Sequence, residues 1–433
     1  MMLFTKYDFV GAFIKVVDMV NAGLSNHHQR TAYLADLLCR RLKLDQADHQ
    51  AVVLAALMHD IGVVPLRIKA DDLLFEKDME VHSWAGWMML RSCPALKLEA
   101  GLVKYHHWPW TEIKKMQGQT RKTAELANVI NLADHLDIVS RSLRSMAVVS
   151  RELKHDPSAF VPDHLDAALA LVSEGDLFVN IDEAAKDFEF SPSPSHFLSM
   201  EEIIIFSKLF AELIDSRSPF TASHSNAVAH IALYLHQLAA LPEDEAPIIF
   251  MAGLLHDIGK LAVPLELIEK ESRLTGAEME MVRRHAAISW ETLTALPGFH
   301  RVAVWGALHH ERLNGAGYPF GLSYQNLSIQ SRLMAVADVL TALTEERPYR
   351  PGFRHKEVVE ILTGMAKSKL LDADMVDLAC QLTGNITLLR RLASDETKGL
   401  YNGQVGASDM GKDGRRQLLG NSPPPPLRSH ITV

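Results

Sequence analysis

Cysteine is scarce in this chain, which has three cysteines among 433 residues. Cys39, Cys93 and Cys380 are far apart and odd in number. This pattern argues against a disulfide framework and offers no spacing for a cysteine-based zinc site. Such usage is typical of a protein kept in a reducing cytoplasm.

Long apolar runs are also missing. No segment reaches 18 uncharged apolar residues, and the first twenty residues carry Lys6, Asp8, Lys15 and Asp18. A signal peptide or a membrane-spanning helix would need an uninterrupted apolar stretch in these places. We therefore expect a cytoplasmic protein with no membrane partner.

The chain has no excess of positive charge, since 44 Lys and Arg residues face 53 Asp and Glu residues, for a net charge of −9. A protein that bound nucleic acid through its overall field would carry the opposite balance. We expect no nucleic-acid partner, although a local basic pocket is compatible with this count.

What is present is an ordinary globular composition with one unusual feature. Apolar residues make up 48% and charged residues 22% of the sequence, which is typical of a folded protein. A length of 433 residues predicts two or three domains. The unusual feature is histidine, which occurs 21 times.

Many of these histidines belong to an internal repeat. The sequence His-Asp-Ile-Gly occurs at 59–62 and again 197 residues later at 256–259. In each copy a histidine precedes it by 32 residues, and a further histidine follows it. A His-His pair begins 24 residues beyond that further histidine. The aspartate of an Ala-Asp lies 28 or 29 residues after the first histidine of the pair. The matched residues are His27, His59, Asp60, His82, His106, His107 and Asp134 in the first copy, and His224, His256, Asp257, His285, His309, His310 and Asp338 in the second. We interpret this as a tandem duplication.

The apolar spacing around the repeat predicts helices. Apolar residues recur three or four apart between 228 and 238, which predicts a helix starting just after His224, and the same spacing places Asp338 on a helix. The apolar run Ile248–Leu255 would end at His256, with Gly259 as the C-terminal stop. Because alternating strand patterns are scarce, we predict an all-α fold of two tandem helical domains.

Composition sets the expected boundaries. Alternating serine and proline over 191–195 predict a linker, and a helix-like stretch follows over 201–214. We expect a first domain over 1–190, a second over 199–393 and a disordered tail over 394–433, where four prolines lie near the end.

The matched residues are typical metal ligands. Imidazole nitrogens and carboxylate oxygens bind divalent first-row metals, and one carboxylate can bridge two ions. Two ions about 4 Å apart generate hydroxide at neutral pH and stabilise the entering and leaving oxygens of a phosphodiester. A single His-Asp pair is weak evidence for this chemistry. Five histidines and two aspartates that recur at matched spacing favour it strongly.

The second copy resembles an HD-GYP domain, a branch of the HD phosphohydrolase superfamily that hydrolyses cyclic di-GMP. The resemblance covers residues 215–351. It depends on Ser218–Thr221 before His224, on His256–Lys260, on His309–Glu311 with Gly315, Gly317, Tyr318 and Pro319, and on Arg332, Val336–Asp338 and Arg347–Arg350.

The resemblance implies a role for each matched residue. One metal would be held by His224, His256, Asp257 and Asp338, and the second by Asp257, His285, His309 and His310, so that Asp257 bridges the two. Asp257 and Lys260 would be catalytic, with Lys260 near the scissile phosphate. Substrate contacts are implied for Lys260, Gly317, Tyr318, Arg332, Arg347 and Arg350, although solvated surface charge explains the last two almost as well.

Some positions depart from the family pattern. Asn314 and Thr341 stand where the family often has aspartate, and Phe220 stands where members with three metals carry glutamate. We therefore expect two divalent metals, with iron or manganese favoured by the resemblance.

The first copy keeps a complete ligand set, namely His27, His59, Asp60, His82, His106, His107 and Asp134, with His28 as a rival for the first position. Val63 replaces the lysine, Asn128 replaces the arginine, and Trp108–Trp110 replaces the glycine-rich loop. A regulatory or structural role is slightly favoured over a second catalytic one, since substrate-facing residues are missing.

The sequence thus predicts a metal-dependent phosphodiesterase that hydrolyses cyclic di-GMP to the linear dinucleotide, and perhaps on to GMP, through a hydroxide bound to two metals. Three alternatives stay open: a 3′,3′-cyclic GMP-AMP phosphodiesterase, another HD-type nucleotide phosphohydrolase, and a signalling adaptor that binds cyclic dinucleotide without hydrolysing it. A homodimer or a signalling protein is the expected protein partner.

Overall fold

The computed structural model describes residues 4–19, 26–66, 80–142, 146–174, 181–186, 188, 190, 196–217, 223–270, 272–345 and 352–382. Across these residues the named elements are all helical, and β contacts occur as isolated bridges at Thr5–Phe197 and Asn314–Ser323. The predicted all-α fold is confirmed. The chain divides into two compact units, a first unit over Phe4–Leu198 and a second unit that begins at Ser199.

The described part of the first unit consists mainly of helices. These helices are α1 Lys6–Asp18, α2 His27–Leu42, α3 Gln46–Met58, α4 Val63–Leu66, α5 Glu80–Leu90, α6 Lys97–Tyr105, α7 Trp110–Ile113, α8 Gly118–Ser142, α9 Met146–Leu153, α10 Pro162–Ser173 and α11 Ile181–Lys186, with 3₁₀ turns at Pro94–Leu96 and Pro157–Ala159.

The second unit repeats the same kind of architecture. Its helices are α12 Met200–Ser216, α13 His224–Leu238, α14 Ala246–Leu255, α15 Leu265–Ile268, α16 Gly276–Thr294, α17 His300–Gly306, α18 Ile329–Thr344, α19 His355–Lys367 and α20 Ala373–Leu382, with 3₁₀ turns at Glu243–Glu245, Ile258–Ala262 and Tyr324–Asn326.

Local sequence explains where the main helices begin. Ser199 caps α12 and Thr275 caps α16, each accepting a hydrogen bond from a backbone N–H while a glutamate three residues later bonds back. Such capping boxes satisfy N–H groups that have no partner within the helix. The helix predicted over 201–214 is thus α12, and Asp338 lies within α18 as predicted.

The core of each unit is formed by the central helices. Every residue of α14 from Ile248 to Leu255 is buried, which explains its unbroken apolar sequence. At Gly253 an added Cβ would lie 2.5 Å from the Cα of Ala229, so α13 and α14 pack with their backbones almost in contact. This close packing brings the start of α13 and the end of α14 together.

The role predicted for Gly259 was wrong. The helix does end at Leu255 before His256, but a 3₁₀ turn follows at once, and Gly259 lies inside that turn without a positive φ. An added Cβ at Gly259 would lie 2.0 Å from the carbonyl oxygen of His285. The glycine is needed because two backbones touch there, rather than as a left-handed helix cap.

Three expectations concern segments or properties at the margins of this fold. The second unit begins at Ser199, while the first continues to Leu198, beyond the expected 190. The serine-proline linker over 191–195 and the tail over 394–433 lie outside the described residues. Within the described part, one stretch, Gln46–Leu66, is long and apolar enough to cross a membrane, but 61% of its apolar window is buried in the protein, so it is weak evidence for a span.

Candidate metal centres

The second unit brings its predicted ligands together from five helices. His224 is the first residue of α13, His256 follows α14, His285 lies in α16, His309 and His310 follow α17, and Asp338 lies in α18. Their ligand atoms form two groups, each within 4.8 Å: Asp257, His285, His309 and His310 in one, and His224, His256 and Asp338 in the other.

Asp257 lies between the two groups. Its Oδ1 is 3.3 Å from Nε2 of His285 and 3.7 Å from Nε2 of His309. Its Oδ2 is 3.0 Å from Nε2 of His256 and 3.9 Å from Nε2 of His224. Each carboxylate oxygen therefore faces a different group, which is the arrangement that a carboxylate bridging two ions requires.

Buried atoms without partners indicate what the site is suited to hold. The Nε2 atoms of His256, His285 and His309 and Oδ1 of Asp257 are buried with no hydrogen-bond partner. A buried polar atom left without a partner costs about 1–3 kcal/mol, so several in one cluster need an explanation. A divalent cation in each group would satisfy all of them, and the nitrogen and oxygen donor set fits that role.

Burial also keeps most of these rings in the form that binds metals. Desolvation lowers the pKa of His309 to about 3 and lowers the pKa of His285 as well. Histidine coordinates a metal as the neutral imidazole. The neighbourhood therefore holds these two ligands ready without a proton to displace.

The first unit contains the same pair of groups. Asp60, His82, His106 and His107 form one, and His27, His59 and Asp60 form the other, again with ligand atoms within 4.8 Å. Oδ1 of Asp60 is 3.2 Å from Nε2 of His82, and its Oδ2 is 3.4 Å from Nε2 of His59. Asp134 joins through Oδ1, which is 3.2 Å from Nε2 of His27.

The structure decides between the two rivals at the start of α2. His27 points its Nε2 into the cluster, whereas Nδ1 of His28 lies 2.5 Å from Asp18 and His28 belongs to neither group. Of the two histidines, His27 is therefore the one whose ring faces the candidate metal group.

Outer carboxylates orient the first histidine of each unit, and sequence reasoning missed them. Nδ1 of His27 is 2.7 Å from Asp137, and Nδ1 of His224 is 2.9 and 3.1 Å from the two oxygens of Glu345. Burial would lower the pKa of His224, but Glu345 and Asp338 raise it well above its usual value. Only Asp137 had a signal in the sequence, since it occupies the family aspartate position that Thr341 fills in the second copy.

The two units differ in the cation beside the bridging aspartate. The Nζ atom of Lys260 forms an ion pair with Oδ2 of Asp257, and the Lys260 side chain is 32% exposed. Burial alone would lower the pKa of Lys260, but the contact with Asp257 outweighs burial and raises the pKa above its usual value. The lysine therefore stays charged. The repeat-matched residue in the first unit is Val63, which brings no charge to Asp60.

The glycine-rich loop is held against the second site. The ring of Tyr318 lies 4.6 Å from the ring of His310. The guanidinium of Arg283 also contacts the Tyr318 ring, at 5.3 Å from its centre. At Gly317 a Cβ would lie 2.4 Å from the backbone of Glu311, so this glycine permits a tight turn.

Glu311 fixes this loop and was another residue that sequence reasoning left without a role. It is buried, and its two carboxylate oxygens accept hydrogen bonds of 2.7 and 2.8 Å from the N–H groups of Phe320 and Leu322. The result is a loop that holds Tyr318 over His310.

The predicted arginines have different outcomes. Arg332 forms a 2.5 Å ion pair with Asp372 and lies 4.4 Å from the ring of Tyr324, so its charge already has a protein partner. Its repeat-matched residue, Asn128, likewise holds the chain through hydrogen bonds with Ala159 and Val161. Arg347, Arg350 and Phe220 lie outside the described residues.

In the comparison with known proteins, a part of each unit matches a family model. Residues 208–375 match one family model described as "HD domain", and residues 24–138 match a second with the same description. A solved structure of a cyclic GMP-AMP specific phosphodiesterase from Vibrio cholerae superposes with a TM-score of 0.61 at 19% identity, covering 88% of this chain and 98% of that one. That likeness supports the fold.

Two curated relatives are similar over different extents. A 3′3′-cGAMP-specific phosphodiesterase from Vibrio cholerae serotype O1 is 29% identical over 84% of this chain and 88% of its own length. A cyclic di-GMP phosphodiesterase response regulator from Xanthomonas campestris pv. campestris is 36% identical over 39% of this chain and 44% of its own length.

Proposed function

We propose that the second unit hydrolyses a phosphodiester bond of a cyclic dinucleotide, since residues 24–138 and 208–375 each match a family model described as an HD domain. The observation that carries this proposal is Asp257, whose two oxygens face two separate groups of histidines beside Lys260. The proposed substrate is cyclic di-GMP or 3′,3′-cyclic GMP-AMP. These are the two cyclic dinucleotides that appear in the names of the relatives above.

The proposed metal ligands are the seven residues of the two groups. His224, His256, Asp257 and Asp338 would hold one ion, and Asp257, His285, His309 and His310 the other. Two divalent ions held there supply Lewis acidity toward a phosphodiester and toward the water that attacks it. We favour iron or manganese, because the resemblance to HD-GYP domains points to them.

The remaining residues of the site act on the substrate itself. Lys260 places a cation where charge develops on the phosphate during attack. Tyr318, held beside His310, places an aromatic ring next to the candidate metal group, where it can contact a guanine. Water adds to phosphorus, the bond from phosphorus to the leaving ribose oxygen breaks, and that oxygen takes up a proton lost from the water. The ring thereby opens to a linear dinucleotide.

One experiment tests the reaction and the substrate together. The full-length protein, supplied with iron or manganese, is incubated with cyclic di-GMP, cyclic GMP-AMP, cyclic di-AMP and linear nucleotides, and the products are separated by chromatography. We expect linear dinucleotide from a guanine-containing cyclic substrate. Phosphate released from mononucleotides would instead identify another HD-type phosphohydrolase, and binding without turnover would identify an adaptor.

We further propose that the first unit holds metal but does not hydrolyse cyclic dinucleotide. Its two groups both include Asp60, and in the second unit Asp257 belongs to one group and lies close to His224 and His256 of the other, but Val63 brings no cation to the phosphate. The double variant His256→Ala/Asp257→Ala should abolish turnover, whereas His59→Ala/Asp60→Ala should leave the chemical step in place. The opposite result would assign catalysis to the first unit.

A further inference from the structure

The metal-facing histidines are held in two different ways. Nδ1 of His256, of His285 and of His309 each lies 2.6–2.8 Å from the backbone carbonyl oxygen three residues earlier in the chain. These rings follow or lie within a helical turn that supplies the carbonyl. His224 is the first residue of α13, so no preceding turn of that helix is available to it. Its Nδ1 is instead 2.9 Å from Glu345.

The first unit solves the same problem with a different residue. His27 is the first residue of α2, and its Nδ1 is 2.7 Å from Asp137. Asp137 lies on α8, three residues after Asp134, so one helical turn separates the carboxylate that faces the cluster from the one that supports His27. Arg30 donates a hydrogen bond of 2.5 Å to Asp137 and so orients its carboxylate.

In the second unit this position cannot provide a carboxylate. The matched residue is Thr341, whose hydroxyl donates a 2.8 Å hydrogen bond to the carbonyl of Ala337, and the residue matching Arg30 is Ala227. Glu345 lies one turn further along, directly after α18. Its longer side chain spans the added distance and reaches the same ring nitrogen, and its position in the first copy is an arginine.

We propose that Glu345 is a positioning residue for the metal group formed by His224, His256 and Asp338, in the role that Asp137 has in the first unit. By accepting the Nδ1–H of His224 it fixes the tautomer in which Nε2 is the ligand atom, and it sets the ring orientation toward Asp338, whose Oδ1 is 3.4 Å away. The two copies thus place the supporting carboxylate at different positions, Asp137 in the first unit and Glu345 in the second. This inference rests on the proposed metal centre.

The test measures metal binding by the full chain. Glu345→Ala and Glu345→Gln are equilibrated with graded free manganese, bound metal is counted by mass spectrometry, and kcat and KM are measured for the cyclic dinucleotide. We expect Glu345→Ala to weaken one ion about 10–100-fold, so that one fewer ion is bound per chain at intermediate manganese. Glu345→Gln, which keeps an acceptor oxygen but no charge, should fall in between. The activity lost by Glu345→Ala should return at high manganese, with KM changed little.

A rescue separates positioning from a merely structural role. Glu345→Ala/Thr341→Asp places the carboxylate where the first unit has it and should recover most of the lost affinity. Glu345→Ala/Thr341→Asn, of the same size without the charge, is the matched control and should not recover it.

The outcomes are distinguishable. Wild-type affinity for both ions in Glu345→Ala overturns the inference, as does a folded Glu345→Ala/Thr341→Asp that binds no better than Glu345→Ala. Should Glu345→Ala fail to fold, wild-type affinity in Glu345→Gln together with no gain from Thr341→Asp also overturns it. A wild-type chain that binds no metal would sink the proposed function as well.

Discussion

Single side chains in this protein are often held by one specific partner. The guanidinium of Arg332 pairs with Asp372, and the carboxylate of Asp372 also accepts hydrogen bonds of 3.0 and 3.1 Å from the N–H groups of Asp374 and Met375. This ion pair fastens α18 to the beginning of α20. Arg332 therefore stabilises the second unit, whatever else it contacts.

We expect Arg332→Ala to lower the free energy of unfolding by about 3–5 kcal/mol, because it leaves the buried carboxylate of Asp372 without its cation. Urea denaturation measures this loss. Arg332→Met/Asp372→Asn, which removes both charges, should be less destabilised. Unchanged stability with a raised KM would instead return Arg332 to the substrate site.

Glu212 gives the stability of the second unit a dependence on pH. Burial, with the nearby Asp215 carboxylate, raises the pKa of Glu212 from 4.5 to about 7. Between pH 4.5 and 7 the unfolded chain loses this proton while the folded chain keeps it, so stability falls as the pH rises through that window.

We expect Glu212→Gln to remove this contribution and to raise the free energy of unfolding at pH 8 by about 1–3 kcal/mol, with little effect at pH 4.5. Denaturation at the two pH values measures the difference. A variant whose stability changes equally at both values would contradict the assignment.

The clustering of these histidines and aspartates was predictable from the sequence, because duplication displays them twice at matched spacing. Their supports were not, because Glu345 reaches His224 across 121 residues of sequence and nothing local marks that contact. Glu311 was visible beside the His-His pair, but its bonds to Phe320 and Leu322 depend on how the loop folds back. Periodicity predicts which residues lie on helices, and only packing decides which carboxylate meets which ring.

At the scale of elements, the 3₁₀ turn after α14 is fitted tightly against α16. Gly259 has no room for a side chain beside the carbonyl of His285, and its N–H donates a 2.9 Å hydrogen bond to Ser289. The same contact recurs in the first unit, where a Cβ at Gly62 would lie 2.0 Å from the carbonyl of His82. In both units the turn carrying the bridging aspartate is thereby set against the helix carrying the next ligand.

We expect Gly259→Ala to push α16 away and to displace His285, which should weaken metal binding by the second unit and lower turnover at least tenfold, about 1.4 kcal/mol at the transition state. Gly62→Ala is the counterpart for the metal group of the first unit. Gly364→Ala is the control, since nothing lies within 4 Å of its Cβ position in α19, and it should raise stability by about 0.5–1 kcal/mol. Full activity in Gly259→Ala would show that the two backbones can separate at no cost.

At the scale of the whole molecule, duplication has produced two similar clusters in different electrostatic settings. In the second unit Lys260 neutralises part of the charge of Asp257 even without metal, while in the first unit the ion pairs of Asp60 within the described residues are all with imidazoles. The two units are therefore expected to depend on metal to different degrees.

We expect removal of metal by a chelator to lower the melting temperature of the full chain, since a ligand at 100 times its Kd stabilises by about 2.7 kcal/mol. The transition assigned to the first unit should shift more, because Val63 provides no substitute cation. Calorimetry of the His59→Ala/Asp60→Ala variant, in which that shift should disappear, identifies the transition. An equal shift in both units would count against a role for Lys260 in the metal-free state.

The position of Asp257 between two groups of histidines has a consequence for how activity responds to metal supply. Each oxygen faces a different group, so two ions held there would share one ligand and could not fill independently of each other. Since the proposed reaction needs both ions, a site that holds one ion has no activity. Turnover therefore depends on the fraction of chains in which both metal positions are filled. Activity plotted against free metal should therefore rise more steeply than a single-site binding curve. The enzyme would then change from inactive to active over a narrow range of metal concentration.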